Sequence, residues 1–255
     1  MLRCGLLGGK LGHSYSPAIH HELGDYAYRL YEKTPEELPA FLTGGSFDGL
    51  NVTIPYKKAV MPYCAALSET AQRVGCVNTL VRRADGTLYG DNTDVFGFER
   101  MLRATGVCPE EKKALVFGSG GASATAQYVL RQMGAREIVV VSRHGEDNYE
   151  NLDRHTDAEI AVNTTPVGMY PNTGASPVDL SRFPKLEAAL DVVYNPARTE
   201  FLLQAEQLGL KRENGLLMLA AQAKKSCEDF IGESVEDERI GEITKTLAAR
   251  MQNII

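Results

Sequence analysis

The amino-acid sequence predicts an α/β protein in two parts with a helical end, and three observations predict it. Short apolar runs alternate with helix-patterned stretches along most of the 255 residues, as in strands separated by helices. Near the middle, residues 114–117, 118–121 and 122–133 read as strand, glycine-rich turn and helix, and 138–141 as the next strand, which makes one βαβ unit. After Gly215 the chain is helical nearly to its end, with Gly232 separating two helices. The expected parts are residues 1–99, 100–214 and 215–255.

The elements follow in order. Residues 2–8 read as the first strand. Ser16-Pro17 opens a helix, with serine as N-cap and proline in the first turn. Residues 26–33 read as a strand, and Thr34-Pro35-Glu36-Glu37 starts a second helix. Residues 77–82 and 88–90 form a hairpin around Asp85-Gly86. Residues 93–105 are helical, with Gly106 as the stop. In the second part, 160–162 and 190–193 are short strands and 199–208 a helix closed by Gly209. No internal repeat or low-complexity linker is present.

One stretch stands out for function: Leu50-Asn51-Val52-Thr53-Ile54-Pro55-Tyr56-Lys57. A period of two puts Asn51 and Thr53 on one strand face and Leu50, Val52 and Ile54 on the other. Pro55 ends the hydrogen-bond ladder, and Lys57 follows. Two uncharged hydrogen-bonding side chains leading to a cation suit a small polyhydroxylated ligand. The same stretch also suits an edge strand with a polar outer face and a solvated lysine.

Composition narrows the function classes. A 44% hydrophobic and 24% charged chain is an ordinary globular protein. The net charge of −6 and the lack of any basic run argue against nucleic-acid binding. Five cysteines with no CxxC pair give neither a disulfide framework nor a zinc site, and read as reduced thiols of a cytoplasmic protein. No metal is expected, since the histidines form no ligand set. No apolar run approaches the roughly 20 residues of a membrane span, and no signal peptide is expected, since the first residues lack a charged flank followed by a long apolar core.

The turn Gly118-Ser119-Gly120-Gly121-Ala122-Ser123 has the strand-to-helix context of a dinucleotide site. Glycines let the backbone approach a pyrophosphate, and the helix N-terminus offers N–H groups and partial positive charge. Ser123 stands where the usual pattern has a third glycine. After the next strand come Ser142 and Arg143. An arginine there, in place of an acid, favours the 2′-phosphate of NADP through charge and a bidentate fork.

Further polar segments are His13-Ser14-Tyr15-Ser16-Pro17, Val77-Asn78-Thr79-Leu80, Gly90-Asp91-Asn92-Thr93-Asp94 and the helix around Gln222. Each has a plain structural reading: Ser16 as a cap, Asn78 as a strand amide, one acid at 91–94 as a helix cap, Gln222 on a solvated face. In order, with Gly5-Leu-Leu-Gly8, Gly75-Cys-Val-Asn-Thr-Leu80, Asn163-Thr-Thr-Pro-Val-Gly-Met169, Asp191-Val-Val-Tyr-Asn-Pro196 and Gly215-Leu-Leu-Met-Leu-Ala-Ala-Gln222, the chain resembles the shikimate dehydrogenase family over nearly its whole length.

That resemblance implies NADP-dependent reduction of 3-dehydroshikimate to shikimate, on the route to aromatic amino acids. It implies that Ser14 and Ser16 hold the substrate carboxylate with Tyr194 nearby, and that Asn51, Thr53, Asn78, Asp94 and Gln222 surround the ring hydroxyls. Lys57 and Asp94 resemble the catalytic pair. Val192 and Gly215, with Met218 close by, resemble nicotinamide-side contacts. The implied fold is an N-terminal substrate domain, a Rossmann-like NADP domain and C-terminal helices returning to the first domain, as a monomer or homodimer. One departure is visible: 19 residues separate Arg143 from Asn163, a helix and a strand short of the family's interval. The adenine side is therefore expected to be trimmed, and His144 replaces a threonine often found there. A quinate/shikimate dehydrogenase accepting NAD, and a non-catalytic sensor of nucleotide or shikimate, are the alternatives. An ordinary lysine, with a pKa of about 10.4, releases its proton reluctantly near neutrality. Lys57 is thus expected to act mainly as a positioned cationic donor, with proton transfer shared through Asp94 or water.

Overall fold

The computed structural model describes residues 1–12 and 14–252. His13, the first residue of the hydroxyl-bearing motif, lies outside the described residues. The chain divides into two compact units: Met1–Asp94 with Ala220–Ile243, and Val95–Leu219 with the chain from Thr244 onward.

The first unit is built on β1 (Arg3–Gly8), α1 (Ser16–Leu23), β2 (Ala27–Glu32), α2 (Leu38–Gly44), β3 (Gly49–Val52), β4 (Cys64–Leu67), α3 (Glu69–Val74), β5 (Thr79–Arg82) and β6 (Leu88–Asp91). Its mixed sheet runs β2-β1-β3-β5-β6-β4. β1 is parallel to β2 and β3, and β3-β5-β6 are antiparallel neighbours. Alternation works here as the sequence predicts. Leu50 and Val52 enter a core with Leu7, Leu38, Leu42, Phe47 and Leu80, where each buried leucine or phenylalanine contributes about 1.5–3 kcal/mol. Gly49 and Asn51 face the other way. Ile54 departs from the expected pattern: the strand ends at Val52 and Ile54 is 78% exposed.

Ser16 also departs from its expected role as N-cap. It is the first residue of α1 and caps nothing; the N-cap is Tyr15, without a side-chain bond. Ser14 Oγ instead accepts from the Ser16 N–H at 3.2 Å. Thr34 and Glu37 form a reciprocal pair before α2, the capping-box exchange. In the β5–β6 hairpin, Gly86 takes a positive φ and Asp85 Oδ1 accepts from Thr87 N–H.

The second unit continues with α4 (Asp94–Ala104), β7 (Lys113–Phe117), α5 (Gly121–Gln132), β8 (Glu137–Val141), β9 (Ile160–Asn163), β10 (Ala188–Asp191), α6 (Glu200–Gln207) and β11 (Lys211–Asn214). Two helices, α7 (Gly215–Ile231) and α8 (Glu238–Gln252), complete the chain. The sheet order is β11-β10-β9-β7-β8, with every pair parallel. Such sheets must be covered on both faces. Leu115 and Phe117 join one apolar cluster with Phe201 and Leu202, while Ala114 and Val116 join another with Phe98, Leu102, Val129 and Met218.

β8 is an edge strand, and only a short 3₁₀ turn (Leu152–His155) lies between it and β9. The crossover is therefore trimmed, as expected. Tyr149, Leu152 and Ala158 cover the sheet face in place of a full helix. β10 starts and ends two residues before the expected strand, because the Asp191 carboxylate accepts from Val193 N–H and turns the chain. Two strands, β4 and β11, are not expected from the sequence, nor is the short helix α3, although Ser68 caps its start and Gly75 its end.

Candidate active site

In the first unit the end of β3, the turn after it and the loop into α4 converge. Lys57 Nζ lies 2.5 Å from Asp94 Oδ2, and the two side chains are 21% and 10% exposed. Asp94 is the first residue of α4, where unpaired N–H groups favour an anion. The Lys57 carbonyl accepts from Val77 N–H at 2.8 Å, which ties the lysine's turn to the strand that follows.

Asn78 braces the acid's loop. Its Oδ1 accepts from Thr93 N–H at 2.7 Å and its Nδ2 donates to Thr93 Oγ1 at 3.0 Å. Its backbone carbonyl accepts from Val52 N–H. Asn78, which lies just before β5 and not within it as expected, thus fixes both the end of β3 and the residue before Asp94. Thr53 N–H bonds the Leu7 carbonyl, and a Cβ on Gly8 would come within 2.8 Å of Thr53 Cγ2. Gly8 is what lets β1 and Thr53 come together.

Asn51 is 5% exposed, so the polar face of β3 is not solvated. The second half of α7 covers it. A Cβ on Gly49 would lie 2.3 Å from the Phe230 ring, so only glycine admits that ring. Two residues along the strand, Asn51 meets Ser226, one helical turn before Phe230. Spacing of two on the strand matches spacing of four on the helix. One further turn back on the same stripe comes Gln222, which is half-buried.

Ser14, Ser16, Asn51, Thr53, Lys57, Asn78, Asp94 and Gln222 all belong to this unit. Tyr28, Thr79, Thr93 and Ser226, not singled out from the sequence, bind several of them together. Burial holds the Tyr28 phenol well above its ordinary range, so it stays a hydrogen-bond donor, and pushes His20, stacked on it, down to about 3, so it is neutral.

The second unit holds Tyr194 and the cofactor candidates. The reversal of strand order after β8 leaves a switch point at the C-terminal ends of β7 and β9, the usual ligand position in such sheets. Gly118 sits there with φ of 109°, and a Cβ would meet Thr164 Oγ1 at 2.7 Å. Ser119 and Gly120 are exposed, and nothing lies within 4 Å of a Cβ built on Gly120. α5 starts at Gly121 and Ala122 with no side-chain cap. Its first N–H groups and this bare turn fit a pyrophosphate. Ser123 is fully buried and does the close-packing work of the missing glycine.

Ser142 and exposed Arg143 follow β8 on a turn closed by Ser142 N–H to the Asp147 carbonyl. His155 Nε2 lies 2.7 Å from Asp147 Oδ1 and anchors that turn to the trimmed crossover. At the other side of the sheet, a Cβ on Gly215 would strike the Val192 carbonyl at 2.0 Å, and Val192 packs on the cluster that contains Met218. Beneath them Asp191 is fully buried, accepting from Asn163 Nδ2, Val193 N–H and Thr199 Oγ1. Burial pushes its carboxyl up to about 6, against these three donors.

By fold and by turn, this is an α/β protein of the dinucleotide-binding class. Residues 6–80 match the family model described as the shikimate dehydrogenase substrate binding domain. A shikimate dehydrogenase (NADP(+)) of Clostridium perfringens strain 13 is 37% identical, over 96% of this chain and 98% of the relative. The structure of a chorismate mutase/shikimate 5-dehydrogenase fusion protein from Clostridium acetobutylicum is 36% identical, with a TM-score of 0.92 over 98% of each chain. Shikimate 5-dehydrogenase from Thermus thermophilus, solved in complex with NADP(H) and shikimate, is 33% identical, with a TM-score of 0.86 over 96% of this chain and 99% of that one. The chain belongs to the shikimate dehydrogenase family.

Proposed function

We propose that the protein catalyses the NADP-dependent, reversible reduction of 3-dehydroshikimate to shikimate, with Lys57 and Asp94 as its catalytic pair. The observation that carries the residue assignment is the 2.5 Å lysine–carboxylate contact, set among buried amides and hydroxyls. NADPH, when bound, supplies the hydride that reduces the carbonyl carbon. As the carbonyl oxygen gains negative charge, the Lys57 ammonium stabilises it and donates the proton that completes the hydroxyl. Asp94 holds the ammonium in place and takes part in returning its proton. In the reverse direction the same pair accepts the proton of the shikimate hydroxyl.

Ser14 and Ser16 bind the ring carboxylate in this reading, with Tyr194 as a further contact. Asn51, Thr53, Asn78, Asp94 and Gln222 take the ring hydroxyls. The first unit is the substrate domain and the second the NADP domain. Gly118, Ser119, Gly120, Gly121 and Ala122 would hold the pyrophosphate, Ser142 and Arg143 the 2′-phosphate, and Val192, Gly215 and Met218 the nicotinamide side. We place the activity in the cytoplasm, where five unpaired thiols are stable. No helix among the described residues is long and apolar enough to cross a membrane.

The test is NADPH formation from NADP⁺ and shikimate, followed by nicotinamide absorbance, with NAD⁺ and quinate as comparison substrates. Turnover highest with NADP⁺ and shikimate is the expected result. Binding of both without NADPH formation would instead make the protein a sensor.

A further inference from the structure

Ser226 carries no catalytic chemistry of its own, yet its fully buried Oγ lies within hydrogen-bond distance of four groups. These are Asn51 Nδ2 at 2.7 Å, the Gln222 carbonyl at 2.9 Å, Thr93 Oγ1 at 3.0 Å and Thr79 Oγ1 at 3.1 Å. A hydroxyl has one proton to give, and Ser226 gives it to the Gln222 carbonyl, one turn back on its own helix. Its oxygen therefore meets Asn51 as an acceptor. The Asn51 carboxamide must turn its NH₂ toward the helix, and its Oδ1 is left for the Tyr28 hydroxyl, which donates at 2.7 Å. Tyr28 is itself held by its stack on His20, with 4.1 Å between ring centroids and 8° between planes. A single donor sense thus runs from Tyr28 through Asn51 and Ser226 to the backbone of Gln222.

The two ends of a carboxamide have nearly the same shape, so partners alone decide which end points where. Of the amide's two donor and two acceptor places, one of each is firmly filled. The second N–H has only the Thr79 hydroxyl, at 3.4 Å. The weakly held N–H therefore remains for a ligand, at a place the neighbours dictate, while Oδ1 faces His20 as well as Tyr28. We propose that Tyr28 and Ser226 are positioning residues for the substrate, which fix the end of Asn51 that donates and the end that accepts. This rests on the assignment of Asn51 to the shikimate site. Reversal of the amide would set an acceptor against the lone pairs of Ser226, so its orientation is a selected one and not a free choice.

The experiment compares Tyr28→Phe, Ser226→Ala, Asn51→Ala and the double variant Tyr28→Phe/Asn51→Ala, with KM for shikimate, KM for NADP⁺, kcat and Tm measured on each. Tyr28→Phe and Ser226→Ala are each expected to raise the shikimate KM about tenfold, as for loss of one buried partner. The NADP⁺ KM should stay within about twofold. Asn51→Ala should raise the shikimate KM at least as much, and Tyr28→Phe should add nothing to it. A purely structural role would lower Tm and leave both KM values alone, and that result overturns the proposal. So does a full additional effect of Tyr28→Phe on the Asn51→Ala background. An unchanged shikimate KM in Asn51→Ala would remove Asn51 from the substrate site, and the proposal with it. If Ser226→Ala fails to fold, Tyr28→Phe, which loses one oxygen atom, decides alone.

Discussion

Around Asn51 most hydrogen-bonding groups are engaged by other side chains of the same unit, whereas at the 118–121 turn the groups that matter are backbone N–H groups with no side-chain cap. One region works by what its side chains reach; the other works by having almost none. The contrast fits what we propose each region holds. A small hydroxylated ring is told from its relatives by the direction of individual hydrogen bonds, which only a fixed set of donors and acceptors can impose. A pyrophosphate needs close approach and positive potential, which bare backbone at a helix N-terminus supplies. Substitutions in the first region should therefore act on substrate and chemistry, and substitutions in the second on cofactor affinity.

The largest effect belongs to the first region. Lys57→Ala should lower kcat about a thousandfold, since in the proposed role Lys57 is both a positioned proton donor and a charge aimed at the reacting oxygen. The shikimate KM should move only a few-fold, because the amides and hydroxyls remain. Steady-state kinetics would decide, and near-normal turnover would end the assignment. Asp94→Asn should lower kcat and also change its pH profile; an unchanged profile would take Asp94 off the proton path.

The regions also differ in how they can be read from sequence. The glycine turn is legible because its signal is local: an apolar run, then three glycines in four residues, then a helix. β3 is legible by alternation, since Leu50 and Val52 leave Asn51 on the opposite face. The partners of Asn51 are not legible in the same way. Tyr28, Thr79, Thr93 and Ser226 are hydroxyl residues of a kind that usually meets water, and only the fold shows them brought together, the last three fully buried. A faint signal is present, in that Gln222, Ser226 and Phe230 recur every four residues as Gly49, Asn51 and Thr53 recur every two. Matching the two requires knowing that this helix lies on this strand. β11 escapes notice for a different reason: Lys-Arg-Glu-Asn on a sheet edge has no apolar face to betray it. Ile54 misleads because alternation continues in the sequence beyond the point where the strand ends.

A substitution of intermediate size sharpens the cofactor side. Arg143 is exposed, on a turn braced by the trimmed crossover. If it forks onto the 2′-phosphate, Arg143→Ala should weaken NADP⁺ binding about ten- to a hundredfold, the range for losing charge-assisted hydrogen bonds. NAD⁺ binding should barely change, because NAD⁺ lacks that phosphate. Equal losses for both cofactors, measured by titration calorimetry, would show that Arg143 supports the turn and does not read the phosphate.

The smallest effect lies beneath the second region, at Asp191, whose carboxylate is ringed by three donors. Its three partners all donate, so they favour the carboxylate, while full burial pushes its carboxyl up to about 6 from the ordinary 3.8. The folded protein thus binds this proton more tightly than the unfolded chain does. Stability from this group is present below the unfolded value and is lost as pH rises through about 6. Lowering the pH from about 7 to about 5 should therefore stabilise the wild type by about 1 kcal/mol relative to Asp191→Asn, which has no such proton to bind. The asparagine should otherwise be tolerated: its oxygen keeps the donors Asn163 and Val193, and the Thr199 hydroxyl can rotate to accept from its NH₂. Urea unfolding of both proteins at the two pH values measures the difference directly. A gap that stays constant would mean that the three donors outweigh burial and that Asp191 remains ionised throughout.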